Sequence, residues 1–479
     1  MIREILSTYR PLYATVLVYM LQNTEYQTRP YIAWLHRTKD FSTVIKRRTL
    51  DETKVATMLL MYVKLGMLLQ ITFSVALIYL GITGSLVGGV AYGITLLISY
   101  PFVWAYALVL PLVAGRIFII GPRNRKAIEE SRAIFAAHPG LRIAVAGSYG
   151  KTSMKELLLT VLSEGRSVAA TPANRNVSSS HAYFARKLTG NEDILIIEYG
   201  EGAPGDVARM AQITQPTHAV ITGLAPAHLD HYKTLEAAGE DIFSVASAVP
   251  SGQAYVYGDS PANKPFIKKG YKTYDTDGAL GWKVSKVSVK LEGVSFTLTK
   301  GKQSLALKSG LVGRHQVGFL AFVAAFALEL GLTKAQVTAG LAKTQPFEHR
   351  MQPYQLNGAH VIDDTYNGNL EGIRAGTALL HDLKASRKIY VTPGLVDQGN
   401  QKEPVHIEVG KLIAAAKPDV VVLMQNSVAG FIQNGLEQGG FKGELRIEEN
   451  PLEFYTNLSH IVAHGDLVVM QNDWTDNYA

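Results

Sequence analysis

From Leu65 to Gly115 the chain carries no charged side chain, a run of 51 residues, whereas one membrane-spanning helix needs about 20. Two spans are predicted. Gly81, Gly84, Gly88 and Gly89 interrupt the run where a hairpin would turn. Lys46, Arg47, Arg48 and Lys54 precede it, and Arg116, Arg123, Arg125 and Lys126 follow. Positive flanks on both sides predict a multi-pass segment with both ends on the cytoplasmic side of an inner membrane. Pro101 and Pro111 leave a second arrangement open, in which the later half breaks into two short, re-entrant pieces. The run begins too deep in the chain for a cleaved signal peptide. Lys64, at its edge, reads as a side chain snorkelling to the headgroups. Residues 1–54 are aromatic and basic, and the apolar stretch Leu12–Leu21 predicts an interfacial amphipathic helix in preference to a third span.

After Pro139-Gly140 the periodicity changes. Short apolar runs at Ile143–Ala146, Ile194–Ile197, His218–Thr222 and Ala254–Tyr257 alternate with helical patterns near Lys151–Leu162 and Pro204–Gln212. Such alternation predicts a mostly parallel sheet with helices on both faces. Val294–Leu298 and Leu305–Leu307 alternate at period two, as in an antiparallel flap, and a helix over Val317–Leu330 closes the unit. The pattern then restarts with strands at His360–Ile362, Lys388–Val391, Val420–Leu423 and Leu467–Val469. The fold class expected is α/β: a central P-loop domain over 141–343 and a smaller Rossmann-like domain over 344–479. Ahead of them stand an N-terminal segment (1–54), a transmembrane α-helical hairpin (55–120) and a linker (121–140).

The net charge of +7 over 479 residues would suggest a nucleic-acid partner if it were spread evenly. It is not: residues 1–140 hold 15 Lys/Arg against 7 Asp/Glu, and the remainder 32 against 33. A basic excess confined to the flanks of an apolar run speaks for a lipid bilayer and against nucleic acid. The absence of cysteine excludes disulfides, zinc-thiolate sites and thiol nucleophiles.

The chemistry starts at Gly147-Ser148-Tyr149-Gly150-Lys151-Thr152-Ser153, between a buried strand and a helix start. Gly147 and Gly150 let backbone N–H groups approach an anion, the helix N-terminus adds partial positive charge, Lys151 can reach β/γ-phosphates, and Thr152 can hold Mg²⁺. Val145 stands where the general P-loop has its first glycine, so a shorter variant is implied. Glu198 ends an apolar strand and so lies at the carboxyl edge of the sheet, where α/β proteins bind ligands. His228 follows another strand at that edge, where neutral imidazole can ligate a metal. Asn174-Arg175-Asn176 offers amide and guanidinium donors. Taken singly, these read as a strand-end acid, a packed histidine and a turn.

Together, in order and spacing, these segments resemble the Mur ligase family, and its D-alanyl-D-alanine-adding branch more than the others. The resemblance covers about residues 141–473 and includes Ile197-Glu198-Tyr199-Gly200, Ala227-His228-Leu229-Asp230, Gly313-Arg314-His315, Arg350 and Asp363-Asp364-Thr365-Tyr366-Asn367-Gly368-Asn369. It implies an ATP-dependent ligase that joins a carboxylate to an amine through an acyl-phosphate. By resemblance, Lys151 serves the transferring phosphoryl group, Asn174 contacts the γ-phosphate, and Thr152 and Glu198 share a Mg²⁺ while His228 holds a second cation. Asp364, with Asn367 beside it, binds ribose, and Arg350 reaches in from the inter-domain linker.

Four departures accompany the match. Ile242 occupies the place of the family's carbamylated lysine, leaving Glu240 or Asp241 to supply the charge. Gln316 and Phe319 replace two asparagines that face adenine. Gln471-Asn472-Asp473 replaces a lysine-glycine-serine string tied to the incoming amine. Residues 1–140 show no counterpart of the UDP-sugar-binding domain. The expected partners are ATP, a cell-wall precursor, lipid-linked or otherwise, an amino acid or dipeptide, and the bilayer. Two further readings stay open: a ligase for a non-peptidoglycan envelope polymer, and a nucleotide-binding membrane scaffold that has lost ligation.

Overall fold

The computed structural model describes residues 6–41, 44, 50–173, 175–226, 232–366, 368–396 and 398–472. The chain forms two compact units that divide between Arg123 and Asn124.

In the first unit, the apolar run folds as helices Lys54–Ile82 and Gly89–Ala107 around a turn in which Gly88 takes φ 78°. Glycine sets the spacing between them: a Cβ at Gly81 would fall 2.4 Å from Val90 N, and one at Gly93 2.6 Å from Ser74 O. Small residues permit such backbone approach between apolar helices. Gln70 ties the pair together, accepting from Trp104 Nε1 at 2.9 Å and donating to Leu96 O at 3.0 Å. The outward side chains, among them Phe73, Tyr79, Ile98 and Phe102, are exposed apolar groups. Two helices, starting at Lys54 and at Gly89, are long and apolar enough to cross a membrane.

Two expectations change here. Pro101 lies inside a helix, and helical structure continues past it through Val109–Gly115, a π-helical turn at Arg116–Ile120, and Gly121–Ala137, so the re-entrant break is not found and most of the linker is helical. The stretch expected to lie in an interface is instead a buried helix, Tyr13–Asn23: Leu17, Val18, Met20 and Leu21 are fully enclosed among Tyr31, Trp34, Leu59, Val63 and Leu108. Burying apolar area on both helix faces outweighs the amphipathic alternative.

The second unit contains two sheets. The larger comprises β1 (Leu141–Ala146), β2 (Val168–Ala170), β3 (Ile194–Glu198), β4 (His218–Ile221), β5 (Ala254–Tyr257), β6 (Lys272–Asp275), β7 (Gly278–Ala279), β8 (Trp282–Lys290), β9 (Gly293–Lys300) and β10 (Gln303–Ser309). Their order is β10-β9-β8-β7-β6-β5-β4-β1-β3-β2, parallel from β2 to β6 and antiparallel from β6 to β10. Helix Gln316–Glu329 is apolar on every side and almost wholly buried, with Phe322 stacked on Tyr274 at 4.4 Å between ring centroids. The smaller sheet has β11 (Gln352–Leu356), β12 (Ala359–Asp364), β13 (Arg387–Thr392), β14 (Val420–Met424), β15 (Glu444–Glu448) and β16 (Asp466–Gln471), ordered β11-β12-β16-β13-β14-β15. Only its edge strand β11 runs antiparallel. The carboxyl ends of β1, β3 and β4 in one sheet, and of β12 and β16 in the other, position the groups described next.

Candidate active site

The turn between β1 and helix Lys151–Leu162 is built on two glycines at positive φ, Gly147 at 144° and Gly150 at 77°. Neither tolerates a side chain. A Cβ at Gly147 would lie 2.2 Å from Thr222 Oγ1, and one at Gly150 2.7 Å from the Phe319 ring. Phe319, one of the two adenine-side replacements, therefore walls the phosphate turn. Gln316, the other, pairs with the neighbouring histidine, Nε2 to His315 Nε2 at 2.9 Å, and burial lowers the His315 pKa to about 4.

Two cradle residues face inward. The N–H groups of Ser148 and Tyr149 both donate to Gly223 O, at 2.7 and 3.3 Å, and the Tyr149 ring covers Gly223 so closely that a Cβ there would meet Cζ at 1.8 Å. An anion is left the first-turn N–H groups of Lys151, Thr152 and Ser153, which a helix cannot satisfy internally.

Lys151 Nζ donates to Gly147 O at 2.5 Å and to Glu201 Oε2 at 2.7 Å. Thr152 Oγ1 donates to Glu198 Oε1 at 3.1 Å, and Asn176 Nδ2 reaches the same oxygen at 3.2 Å. Glu198 is 1% exposed, and its other oxygen, Oε2, has no hydrogen-bond partner. The nearest cation to that oxygen is Lys155 Nζ at 3.4 Å, an ion pair without hydrogen-bond geometry. Lys155 is fully buried and also donates to Thr171 O at 2.9 Å and to Ala173 O. Beneath Glu198, His181 Nε2 donates to the Glu198 carbonyl at 2.8 Å, and burial lowers its pKa to about 4, which keeps the ring neutral. A buried carboxylate with one unpartnered oxygen beside a threonine hydroxyl suits a small divalent cation. Among the described residues no three acidic or histidine side chains converge on one point. Asn174, His228 and Asn367 lie outside the described residues.

Sequence reasoning missed Glu201 and Lys155. Glu201 follows the Glu198-Tyr199-Gly200 corner, and Lys155 sits one helical turn beyond Lys151; only the fold shows what each faces. Of the two acids proposed for the place of the family's lysine, Asp241 is buried and accepts from Tyr232 OH at 2.7 Å, whereas Glu240 is exposed. Ile242 itself is fully enclosed in the core.

In the smaller sheet, Asp364 Oδ1 accepts from Met351 N at 3.1 Å and Oδ2 from Gln471 Nε2 at 2.7 Å. Burial pushes the Asp364 pKa up to about 7. Arg350 stacks on the Tyr366 ring, 4.5 Å from its centroid, and His349 Nδ1 meets Asp363 Oδ2 at 2.8 Å. Gln471 also donates to Gly372 O at 2.7 Å and accepts from Tyr390 OH at 2.8 Å. Gly376 makes room for it, since a Cβ there would fall 2.1 Å from Gln471 Oε1.

Comparisons with known proteins agree with this architecture. Residues 145–327 match the Mur ligase middle domain, and residues 349–471 the Mur ligase, glutamate ligase domain. The UDP-N-acetylmuramoyl-tripeptide–D-alanyl-D-alanine ligase of Mycobacterium tuberculosis is 29% identical over 350 residues, 67% of this chain and 68% of the relative. Its Escherichia coli counterpart is 27% identical over 294 residues, 59% of this chain and 64% of the relative. The fold is similar to that of MurF ligase from Thermotoga maritima, solved in complex with ADP, with TM-score 0.64, 22% identity, and coverage of 73% of this chain and 80% of that one. Two domain matches in the expected order, one over the larger sheet and one over the smaller, settle the assignment: the chain belongs to the Mur ligase family of ATP-dependent amide-bond ligases.

Proposed function

We propose that this chain joins the carboxylate of a peptidoglycan precursor to the amine of an amino acid or dipeptide, using ATP, while anchored in the membrane by its apolar hairpin. The observation that carries the chemistry is the convergence of Lys151, Thr152 and Glu198 on one helix N-terminus at the sheet's carboxyl edge. The N–H groups of the first turn hold the phosphate chain. Lys151 exchanges Glu201 for phosphate oxygens and offsets the charge that builds as the γ-phosphoryl group moves to the acceptor carboxylate and ADP departs. The amine then attacks the acyl carbon, phosphate leaves, and the amine's proton is lost to complete the amide. Mg²⁺, held by Thr152 and Glu198, would supply charge neutralisation on the phosphates. Asn176 fixes the carboxylate for that purpose. Asp364 and Arg350 serve the nucleoside side, the former after giving up its bond to Gln471.

The relatives' names make D-alanyl-D-alanine the first amine to test. The rebuilt Gln471 network favours a difference at this end of the site. Residues 1–144 lie outside both family matches and hold the hairpin, which favours an acceptor presented at the cytoplasmic membrane face, a lipid-linked precursor. The test is ADP release by full-length protein in nanodiscs, offered lipid-linked or soluble UDP-linked precursor with and without D-alanyl-D-alanine, with product masses read. Amine-dependent turnover of the lipid-linked acceptor is expected. Turnover of the UDP-linked acceptor alone would overturn the membrane-substrate reading, and no acceptor-dependent ADP release would leave the scaffold.

A further inference from the structure

The antiparallel flap β8–β10 carries six lysines, one carboxylate (Glu292) and no arginine. Widening the window to residues 264–308 gives ten lysines against three acids, although residues 141–479 as a whole are nearly neutral. The excess is therefore local. Register and burial sort the strands into two faces. Val294, Phe296 and Leu298 of β9 and Leu305 and Leu307 of β10 point into the core. The opposite face presents Lys283, Ser285, Ser288 and Lys290 on β8, Ser295, Thr297 and Thr299 on β9, and Ser304 and Lys308 on β10. Lys286, at φ 53° in the β8 bulge, and Lys302 at the β9–β10 turn extend it, whereas Lys300 has the parity of the inward residues and donates to Leu280 O at 3.0 Å. Apart from Ala306 on β10, this face holds lysines and hydroxyls.

These six lysines form no ion pair among the described residues, whereas exposed cations elsewhere in the unit do: Arg186 with Glu130, Lys343 with Glu164, Arg374 with Glu408, Arg446 with Glu444. Lysines on an edge strand deter strand pairing, which accounts for Lys308 on β10. It does not account for Lys283, Lys286 and Lys290, two strands in from the edge. Uncompensated ammonium groups spread over a hydroxyl-lined sheet face are complementary to a surface of repeated anionic headgroups.

We propose that the β8–β10 face docks on the anionic leaflet of the membrane that holds the hairpin. The inference rests on the membrane-anchored reading above. A hairpin in the same chain keeps the leaflet at high effective concentration, so a face of modest intrinsic affinity suffices, and each lysine adds attraction that fades within a Debye length.

The experiment uses full-length protein in nanodiscs of phosphatidylcholine alone or of equimolar phosphatidylcholine and phosphatidylglycerol, with lysine acetylation rates read by mass spectrometry. Expected is a slowing of about fivefold or more at Lys283, Lys290 and Lys308 in the anionic discs only, abolished by high salt. The K283E/K290E/K308E variant should lose the protection of Lys286 and Lys302 in the anionic discs while keeping its ATP turnover in neutral discs. Equal labelling in the two disc types would overturn the docking face while leaving the anchor intact, as would protection by an added RNA oligomer but not by anionic lipid. Failure of the chain to enter discs of either kind would overturn the anchor and, with it, this proposal.

Discussion

Lys151 and Glu201 form an ion pair of 2.7 Å at the mouth of the phosphate turn, with side-chain exposures of 12% and 3%. The lysine that should meet phosphate is thus held by a carboxylate that phosphate must displace. Replacing Glu201 with Gln removes the competing charge. The KM for ATP is expected to fall about three- to tenfold, the equivalent of one charge-assisted hydrogen bond, with a smaller change in kcat. Steady-state kinetics at varied ATP would check it, and an unchanged or raised KM would refute the competition.

Lys155 is the counter-charge for Glu198 in a site closed to water. Lys155→Met strands a buried carboxylate and should cost about 3–5 kcal/mol of stability. Because the missing element is a positive charge beside Glu198 Oε2, added Mg²⁺ should recover part of the loss. Urea denaturation of both proteins with and without Mg²⁺ decides this; a stability gap insensitive to the cation would mean that Lys155 only fills space.

Asp241 and Glu240 differ in burial, and only Asp241 is held in place, by the hydroxyl of Tyr232. If an acid beside Ile242 contributes to turnover, Asp241→Asn should lower kcat about tenfold or more while Glu240→Gln changes it little. Full Mg²⁺-dependent turnover in both variants would remove either acid from the mechanism.

Asp364 titrates near 7 in the folded chain against an ordinary value of 3.8. The folded state holds this proton more tightly, so its contribution to stability is fully present below about pH 4 and is lost as the pH rises towards 7. Asp364→Asn carries no such charge. Its stability relative to the parent should therefore rise between pH 4 and 7 and level off above that. Denaturation midpoints of the two proteins at pH 4.5, 6 and 7.5 would show the trend; a constant difference would place the titration elsewhere.

Much of the catalytic unit was legible because burial imposes a period on the chain. The strand ending at Glu198 and the helix running from Lys151 to Leu162 stood out since both bury a continuous apolar stretch or stripe. Strands such as β8 and β15 give no such signal: β8 carries Lys283, Lys286 and Lys290, β15 has Glu444, Arg446 and Glu448 at every other position, and both bury little. Their pairing is dictated by neighbours rather than by their own composition. Tyr13–Asn23 misled for the converse reason, because tyrosines that suit an interface also suit a core. Glu201 and Lys155 carry no local signal of the site, since Lys151 and Glu198, which they face there, lie 50 and 43 positions away.

Gln471 touches Asp364, Gly372 and Tyr390, and it occupies the space that a methyl group at position 376 would take. Such an interlock makes four positions answer as one. A substitution at 471 strands the Tyr390 hydroxyl or the Asp364 carboxylate, and a side chain at 376 displaces Gln471, so the energetic effects of changes at 364, 376, 390 and 471 are coupled and not additive.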